Sequence, residues 1–315
     1  MSLAYFIFFV SGAAALSYQI VWQRLLVLFS GSDIRSATII VAAFMTGLGL
    51  GSLAGGHLAD RLTRVASLLA FAAAELAIAA FGAFSATLYY DVLYQQFGQL
   101  AWGLEARAAV LFVSLLWPTF FMGVSLPLLA RSLTTDIRRA AIVTGALYGW
   151  NTVGAAIGAL ATTWWLLPRL GLDGSLDVTA ALNLIAAAMV VPLAVILRRP
   201  DAGSESRPDE ERTASSDLRV DDTRTRLGVW MIAYGLAGFL GLSLEIVWFR
   251  LMGVMLKSTA FTFGTLLAVY LTGLGAGAAV ATLLVRRIRR PVLAFVRMQA
   301  AVGIYAGLSR RFRTC

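Results

Sequence analysis

Long apolar stretches without charge alternate with short charged loops along most of this chain. A helix needs about 20 apolar residues to cross the hydrocarbon core of a bilayer. Eight stretches reach that length, two of them interrupted by a single acid, Glu75 or Glu245: Leu3 to Trp22, Ser36 to Ala59, Val65 to Tyr90, Ala108 to Ala130, Ala140 to Pro168, Val178 to Leu197, Leu227 to Phe249 and Ser258 to Val285. A ninth, Pro291 to Ser309, is marginal because it contains Arg297. The pattern predicts an all-α polytopic membrane protein with eight full transmembrane helices and a marginal ninth, and the lipid bilayer is its first expected partner.

The composition excludes an ordinary soluble domain. Only 14% of the residues are charged, against about 25% in soluble proteins, and the mean hydropathy is +0.78. A net charge of +9 would suggest nucleic-acid binding in a soluble protein, but here the arginines lie between apolar stretches, so we expect no nucleic-acid partner. With His57 and Cys315 the single residues of their types, we expect no metal site and no disulfide framework.

Arginine collects in alternate loops, which predicts the orientation of the chain in a membrane. The arginines after the second, fourth, sixth and eighth stretches are Arg61, Arg64, Arg131, Arg138, Arg139, Arg198, Arg199, Arg286, Arg287, Arg289 and Arg290. These loops and the N-terminus are therefore expected to be cytoplasmic. The first stretch has no basic residues before it and should be retained as a span rather than cleaved as a signal peptide.

One charged segment separates two apolar regions. Residues 198–227 hold seven arginines and eight acidic residues with almost no apolar side chains, a composition that cannot bury enough surface to fold alone. We therefore predict three parts: a six-helix bundle over residues 1–197, a disordered cytoplasmic linker over 198–227, and a partial second bundle over 228–315.

The second bundle repeats the start of the first. At a shift of 226 residues, GAAALSYQIVWQRL (Gly12–Leu25) aligns with GFLGLSLEIVWFRL (Gly238–Leu251), and AAFMTGLGLGS (Ala42–Ser52) aligns with AVYLTGLGAGA (Ala268–Ala278). A small slip also places Glu75 over Gln299. The first three helices thus recur as the seventh to ninth. This is the parallel six-plus-six plan of major facilitator transporters, and we expect the second half to stop after its third helix.

The chain also resembles a known family through four motifs in order. They are SGAAALSYQIVWQRLL, AAFMTGLGLGSLAGGHLADR, PTFFMGVSLPLLAR and ALYGWNTVGAAIGALATTWWLLPRLGL. They are similar to the membrane region of bacterial fused proteins in which a major-facilitator-like helical domain precedes a spermidine or spermine synthase domain. The likeness runs from Ser11 to about Ser309. It implies a bacterial inner-membrane location and a partner enzyme domain.

The same resemblance implies that the synthase domain is missing from this sequence. No strand, Gly-rich turn and helix with GxGxxG is found, so we expect truncation before that domain, no catalytic residue, no cofactor and no aminopropyltransferase activity.

Gly56, Asp60 and Arg61 also resemble the loop motif between helices two and three of major facilitators. Coupling of a gating loop through this motif is expected in the first half alone.

Small residues at four-residue spacing predict close helix packing in lipid, with helix flexing during transport as the alternative. The glycines at this spacing are Gly47, Gly51, Gly55, Gly145, Gly149, Gly154 and Gly158. Polar residues inside apolar stretches are expensive there and usually face a bundle interior. Those that predict an intramembrane polar network are Gln19, Arg24, Glu75, Asn151, Glu245 and Arg250. Structural pairing of Glu75 with Arg24 and a proton or cation site both remain open.

Three functions fit the sequence. The first is handling of a small cationic substrate, such as a polyamine, by a transporter-like membrane domain. The second is membership of the spermidine synthase family by name, with the catalytic domain absent. The third is a membrane anchor or assembly module.

Overall fold

A computed structural model describes residues 1–30, 33–96, 103–134, 137–198, 220–255, 261–284 and 291–311. These described residues form helices and no strand, which confirms the all-helical part of the predicted fold class. The α-helices are α1 (Ser2–Ser30), α2 (Asp33–Arg61), α3 (Arg64–Ala86), α4 (Leu104–Leu133), α5 (Ile137–Ala161), α6 (Leu167–Ala188), α7 (Val190–Arg198), α8 (Val220–Met255), α9 (Thr262–Leu284) and α10 (Pro291–Arg311). Two π-helical segments, Thr87–Gln96 and Thr162–Leu166, follow α3 and α5.

Six helical stretches in the described residues are long and apolar enough to cross a membrane. This count is lower than the eight predicted for two reasons. One continuous stretch, Ile142–Val195, contains both the fifth and the sixth predicted segments. For the eighth and ninth predicted segments, the count covers only Thr262–Ala278 and Leu293–Gly307, which are parts of the longer helices α9 and α10.

Gly171 breaks the stretch Ile142–Val195 into two helices. Its backbone has φ 68° and ψ −164°, a region that is essentially restricted to glycine because a Cβ would clash there. The helical path that begins in α5 therefore ends just before Gly171, and the rest of α6 starts after it. This break separates the fifth and sixth predicted segments.

Side chains connect α1 with α3, and these two helices run in the same direction. Ser11 of α1 contacts Glu75 of α3, and Trp22, further along α1, contacts Ser85, further along α3. Residue numbers therefore increase in the same direction in both helices. Helices α2 and α4 are paired in the same way, from Ala43 and Thr119 at one end to Ala59 and Arg131 at the other. The pairs α1 and α3, and α2 and α4, are thus parallel.

An apolar core lies where α1, α3, α4 and α6 meet near the start of α1. Its fully buried members include Ile7 from α1, Leu68 and Phe71 from α3, Leu128 from α4 and Ala186 from α6. In contrast, many large apolar side chains on the outside of the helices are exposed. Such an outer surface is typical of helices that face lipid.

Contacts divide the chain into two compact units, Met1–Arg199 with Met252–Ala279, and Pro200–Leu251 with Val280–Cys315. Within the second unit, Phe295 of α10 packs against Trp230 and Tyr234 of α8, with ring centroids 5.9 and 5.8 Å apart. The predicted domain boundaries stay a prediction, because most of the predicted linker lies outside the described residues.

The end of the predicted linker is helical. Helix α8 begins at Val220 and so includes residues 220–227 of the predicted linker, while the predicted disorder of the linker stays a prediction. The apolar stretch beyond Leu227 provides the nucleus of the helix, and extension by about two further turns costs little once that nucleus exists. Residues 199–219 and the predicted arginine cluster at 286–290 lie outside the described residues.

Candidate functional site

Glu75 lies at the centre of a polar cluster inside the apolar bundle, and its exposed fraction is 0%. Ser11 Oγ of α1 donates a hydrogen bond of 2.7 Å to Glu75 Oε1, and Asn183 Nδ2 of α6 donates one of 2.6 Å to Oε2. Ser125 of α4 adds a third, longer bond of 3.5 Å to Oε1. We call Ser11, Glu75, Ser125 and Asn183 the Glu75 cluster. Four helices therefore meet at one carboxyl group.

The bond from Ser125 to Glu75 is the weakest of the three. A serine hydroxyl carries one hydrogen, and Ser125 Oγ also lies 3.1 Å from the carbonyl oxygen of Phe121 in its own helix. It can donate to Glu75 or to Phe121 but not to both at once. The carboxyl group therefore has two short hydrogen bonds and one that competes with an acceptor in α4.

Two polar atoms close to this region have no hydrogen-bond partner in the described part of the chain. One is Asn183 Oδ1, the other amide atom of a side chain already bound to Glu75, and the second is the Tyr18 hydroxyl. Tyr18 packs against Gly82, two helical turns along α3 from Glu75. Buried acceptors without donors are costly, and they commonly mark sites where a water, an ion or a ligand is bound.

An aromatic cluster continues along α1 beyond the Glu75 cluster. Tyr18 stacks on Trp22 with ring centroids 4.8 Å apart, and Phe81 meets Trp22 edge-on at 5.5 Å. Trp22 Nε1 donates to Ser85 Oγ at 3.0 Å, which satisfies the indole in a fully buried position. These contacts fix the spacing between α1 and α3 on one side of Glu75.

Arg24 does not pair with Glu75. Ser11 touches the carboxyl group, and Arg24 lies 13 positions further along α1, which is about 20 Å at the helical rise of 1.5 Å per residue. Arg24 instead lines a cavity near the end of the helix. Gln19 is buried and lies between Ser11 and Arg24 along α1. The predicted ion pair is thus replaced by neutral donors.

Asn151 forms a separate contact. Its Nδ2 donates a hydrogen bond of 3.0 Å to the backbone carbonyl of Phe8, and its backbone lies against Gly12. This interhelical hydrogen bond joins α5 to α1, and Asn151 is therefore not a member of the Glu75 cluster.

Glu245 and Arg250 belong to the second unit, on α8. Glu245 is half-buried and Arg250 is exposed. Residues five positions apart on a helix point to different sides, so this spacing does not favour a direct pair between them. Their role in a polar network stays a prediction.

The loop motif lies at the C-terminal end of α2. Asp60 and Arg61 are exposed, and Gly56 has open space where a Cβ would stand. The carbonyl of Ala59 accepts a bond of 3.3 Å from Arg131 Nε at the end of α4. An arginine at this position favours the helix end because it supplies a donor to one of the last carbonyls. Gating by this motif stays a prediction.

The predicted packing glycines fall into two groups. An added Cβ at Gly47, Gly51 or Gly55 would overlap Thr119, the carbonyl of Phe120 or the backbone of Val124 in α4. Gly145 and Gly149 have nothing within 4 Å in the described residues. Close packing is therefore formed by the glycines of α2 and not, in the described residues, by these two glycines of α5. In α5 that role belongs to Gly154 and Gly158, which lie against Phe9 and Ala13 of α1.

Ser11, Ser125 and Asn183 were not among the predicted partners of Glu75. The predicted partner was an opposite charge, whereas the acid is held by two hydroxyls and an amide. Asn183 was detectable, because it is the single amide side chain in the predicted segment Val178 to Leu197. The two serines carry no such mark, since serine is frequent in apolar helices.

Comparison with known proteins gives a distant relationship. No protein family and no solved structure matches the chain. It is 31% identical over 186 residues to polyamine aminopropyltransferase 2 of Streptomyces coelicolor, which covers 58% of this chain and 32% of that protein. It is 27% identical over 185 residues to the polyamine aminopropyltransferase of Corynebacterium efficiens, covering 58% and 33%. The chain spans about a third of the length of these curated relatives, and the similarity supports a spermidine synthase-like relationship.

Proposed function

We propose that this chain is the membrane-embedded helical region of a polyamine aminopropyltransferase-like protein, and that the Glu75 cluster handles a small cationic substrate such as a polyamine. Two findings support the first part: six helices of sufficient length and apolarity, and the similarity to two polyamine aminopropyltransferases. The second part is carried by Glu75 itself. An acid at the centre of an apolar bundle is expensive, by about 2.5 to 3.5 kcal/mol on insertion scales, and usually marks a functional site.

The chemistry of the Glu75 cluster suits an ammonium group. A primary ammonium has three N–H donors, and the cluster offers the carboxyl oxygens of Glu75 and the unpartnered Oδ1 of Asn183 as acceptors. All three donors that the described residues bring to Glu75 are neutral, so a cation would add a charge complement that the protein side chains do not supply.

Entry of a substrate requires the Glu75 cluster to open, because each of its four members is buried. Ser125 is the member that can release Glu75 most easily, since its hydroxyl has a second acceptor in the carbonyl of Phe121. A small shift of α4 or α6 would then free one side of the carboxyl group for the substrate. Alternating access in transporters is largely rocking or gating of one bundle against another, and such a motion would provide this shift.

A binding measurement tests this function. Purified protein in lipid nanodiscs should bind radiolabelled spermidine saturably, and Glu75→Gln should weaken binding at least about tenfold through loss of a charge-assisted contact. Asp91→Asn is the matched control, because Asp91 is an exposed acid beyond the end of α3 and should leave binding unchanged. Equal binding by the wild type and a folded Glu75→Gln variant would contradict the proposal.

A membrane anchor or assembly role is the alternative, and the closed geometry of the Glu75 cluster favours it. In that case Glu75 joins four helices and has no ligand. The chain would then bind no spermidine, and Glu75→Gln would lower the yield of folded protein without any change in a binding curve. In both cases the chain should stay with the membrane fraction after alkaline carbonate extraction.

A further inference from the structure

A cavity of about 450 Å³ lies in the first unit, close to the end of α1 and to the π-helical segment Thr162–Leu166. Of the described residues that line it, two are polar, Arg24 and Thr163. The rest of its wall is apolar and includes Val27, Leu167, Leu172 and Phe261. A concave apolar site with a few convergent polar groups is the usual form of a small-ligand site.

Both polar groups can donate hydrogen bonds to a ligand. The guanidinium of Arg24 is positively charged and has five N–H donors, so it can hold an anion while it keeps contacts within the protein. Thr163 is buried, and its hydroxyl has no hydrogen-bond partner in the described residues. Among the described residues that line the cavity, none is acidic. Two donors, one of them charged, therefore select an anionic group with several acceptor oxygens.

The position of the cavity favours a ligand with both a polar and an apolar part. Val27 lies near the end of α1, and Leu167 and Leu172 lie on the two sides of the break at Gly171. Trp164 and Trp165, in the same π-helical segment as Thr163, are both more than half exposed. Exposed tryptophans at the ends of apolar helices are typical of the boundary between lipid and water.

We infer that this cavity binds the phosphate group of a phospholipid. Arg24 donates two parallel hydrogen bonds to phosphate oxygens, the geometry for which a guanidinium is suited, and the Thr163 hydroxyl donates to a third oxygen. The apolar wall holds the glycerol backbone and the first methylene groups of the acyl chains. The inference rests on the proposed insertion of the chain in a bilayer, but it does not depend on the Glu75 cluster or on any polyamine.

Native mass spectrometry of the protein in a phosphate-free detergent tests this site. Three probes separate the parts of the ligand: dioleoyl phosphatidylglycerol, dioleoylglycerol without a phosphate, and glycerol 3-phosphate without acyl chains. The phosphatidylglycerol adduct should form at a concentration at least about tenfold lower than either of the other two, because it alone provides both the phosphate and the apolar part.

Substitutions locate the site within the protein. Arg24→Gln should weaken the phosphatidylglycerol adduct about tenfold or more, and Thr163→Val should weaken it by a smaller factor while keeping the shape of the side chain. Arg24→Lys keeps the positive charge but lacks the planar guanidinium, so its affinity for phosphatidylglycerol should lie between those of the wild type and Arg24→Gln. Arg250→Gln is the matched control, because Arg250 is the counterpart of Arg24 in the repeated IVWxR motif and is exposed on α8.

Two results would overturn the inference. One is equal binding of phosphatidylglycerol and dioleoylglycerol. The other is an unchanged adduct in Arg24→Gln and Thr163→Val variants that elute as folded protein on size exclusion. Tighter binding of glycerol 3-phosphate than of phosphatidylglycerol would overturn the lipid assignment in favour of a soluble phosphate ester. Failure of the chain to remain in the membrane after carbonate extraction would instead contradict the proposed function on which the inference rests.

Discussion

Asn183 Nδ2 donates a hydrogen bond of 2.6 Å to Glu75 Oε2, which connects α6 to α3 across 108 positions of the chain. Both side chains are almost completely buried among apolar helices. A hydrogen bond in such an environment has no water to replace it, so loss of either partner leaves the other unsatisfied. The pair is therefore a point where stability and any ligand function of the Glu75 cluster are coupled.

The first prediction concerns this pair. Glu75→Leu and Asn183→Leu should each lower the free energy of unfolding by about 1 to 3 kcal/mol, because each leaves a buried polar group without its partner. The double variant should lose less than the sum, with a coupling energy of about 1 kcal/mol. Unfolding in mixed micelles measures all three values.

Asn151 provides the control for this cycle. Its Nδ2 donates to the carbonyl of Phe8 and not to Glu75, so the effects of Glu75→Leu and Asn151→Leu should add. Coupling as large as that of the Glu75 and Asn183 pair would contradict the assignment of the hydrogen bonds.

The position of Glu75 could be predicted from sequence, but its partners could not. An acid inside an apolar stretch has to face other protein groups, so the interior location follows from the cost of burial alone. The choice among Ser11, Ser125, Asn183 and Arg24 depends on helix register, which single-sequence patterns do not contain. The distance of about 20 Å between Arg24 and Ser11 along α1 excludes the ion pair, and it is visible only once Ser11 is known to touch Glu75.

The second prediction concerns the packing of α2 on α4. Gly51→Ala should destabilise the protein by about 1 to 3 kcal/mol, because the added methyl group overlaps the backbone carbonyl of Phe120. Gly49→Ala is a control on the same helix. Its Cβ would meet nothing within 4 Å, and alanine favours a helix by up to about 1 kcal/mol over glycine, so stability should be unchanged or higher. An equal loss of stability in both variants would show that α2 tolerates no alanine at either position, and that the contact with Phe120 is not the cause.

The helices themselves were largely predictable, and their ends were not. The predicted segment Ser36 to Ala59 corresponds to α2, Asp33–Arg61, and Ala108 to Ala130 corresponds to α4, Leu104–Leu133. In both cases the helix extends beyond the apolar residues, because backbone hydrogen bonds continue where hydropathy stops. The break at Gly171 falls between the predicted segments Ala140 to Pro168 and Val178 to Leu197, where the sequence predicts an interruption, although the hydropathy pattern does not show which residue forms it.

The third prediction is the orientation of the chain. Arginine in short loops is retained in the cytoplasm, so the loop between α2 and α3 should face the cytoplasm and the residues just before α4 should face outward. With Cys315 replaced by serine, Gly103→Cys should react with an impermeant maleimide in intact cells, whereas Thr63→Cys should react only after permeabilisation. Both positions are exposed in the structure, so a lack of reaction reports the membrane side. The reverse labelling pattern would contradict the predicted orientation.

The fourth prediction is that this 315-residue chain by itself forms no spermidine from decarboxylated S-adenosylmethionine and putrescine. Aminopropyl transfer requires both small molecules to be held in reacting geometry, and this orientation supplies a large part of the rate. The nucleotide-binding unit that commonly provides such a site consists of a strand, a Gly-rich turn and a helix, and the described residues contain no strand. The glycines at 47, 49 and 51 lie inside α2 and cannot form that turn. Purified protein should therefore give no product above a control without protein. Turnover that disappears in a Glu75→Gln variant, but persists in Asp91→Asn, would show instead that the Glu75 cluster is catalytic.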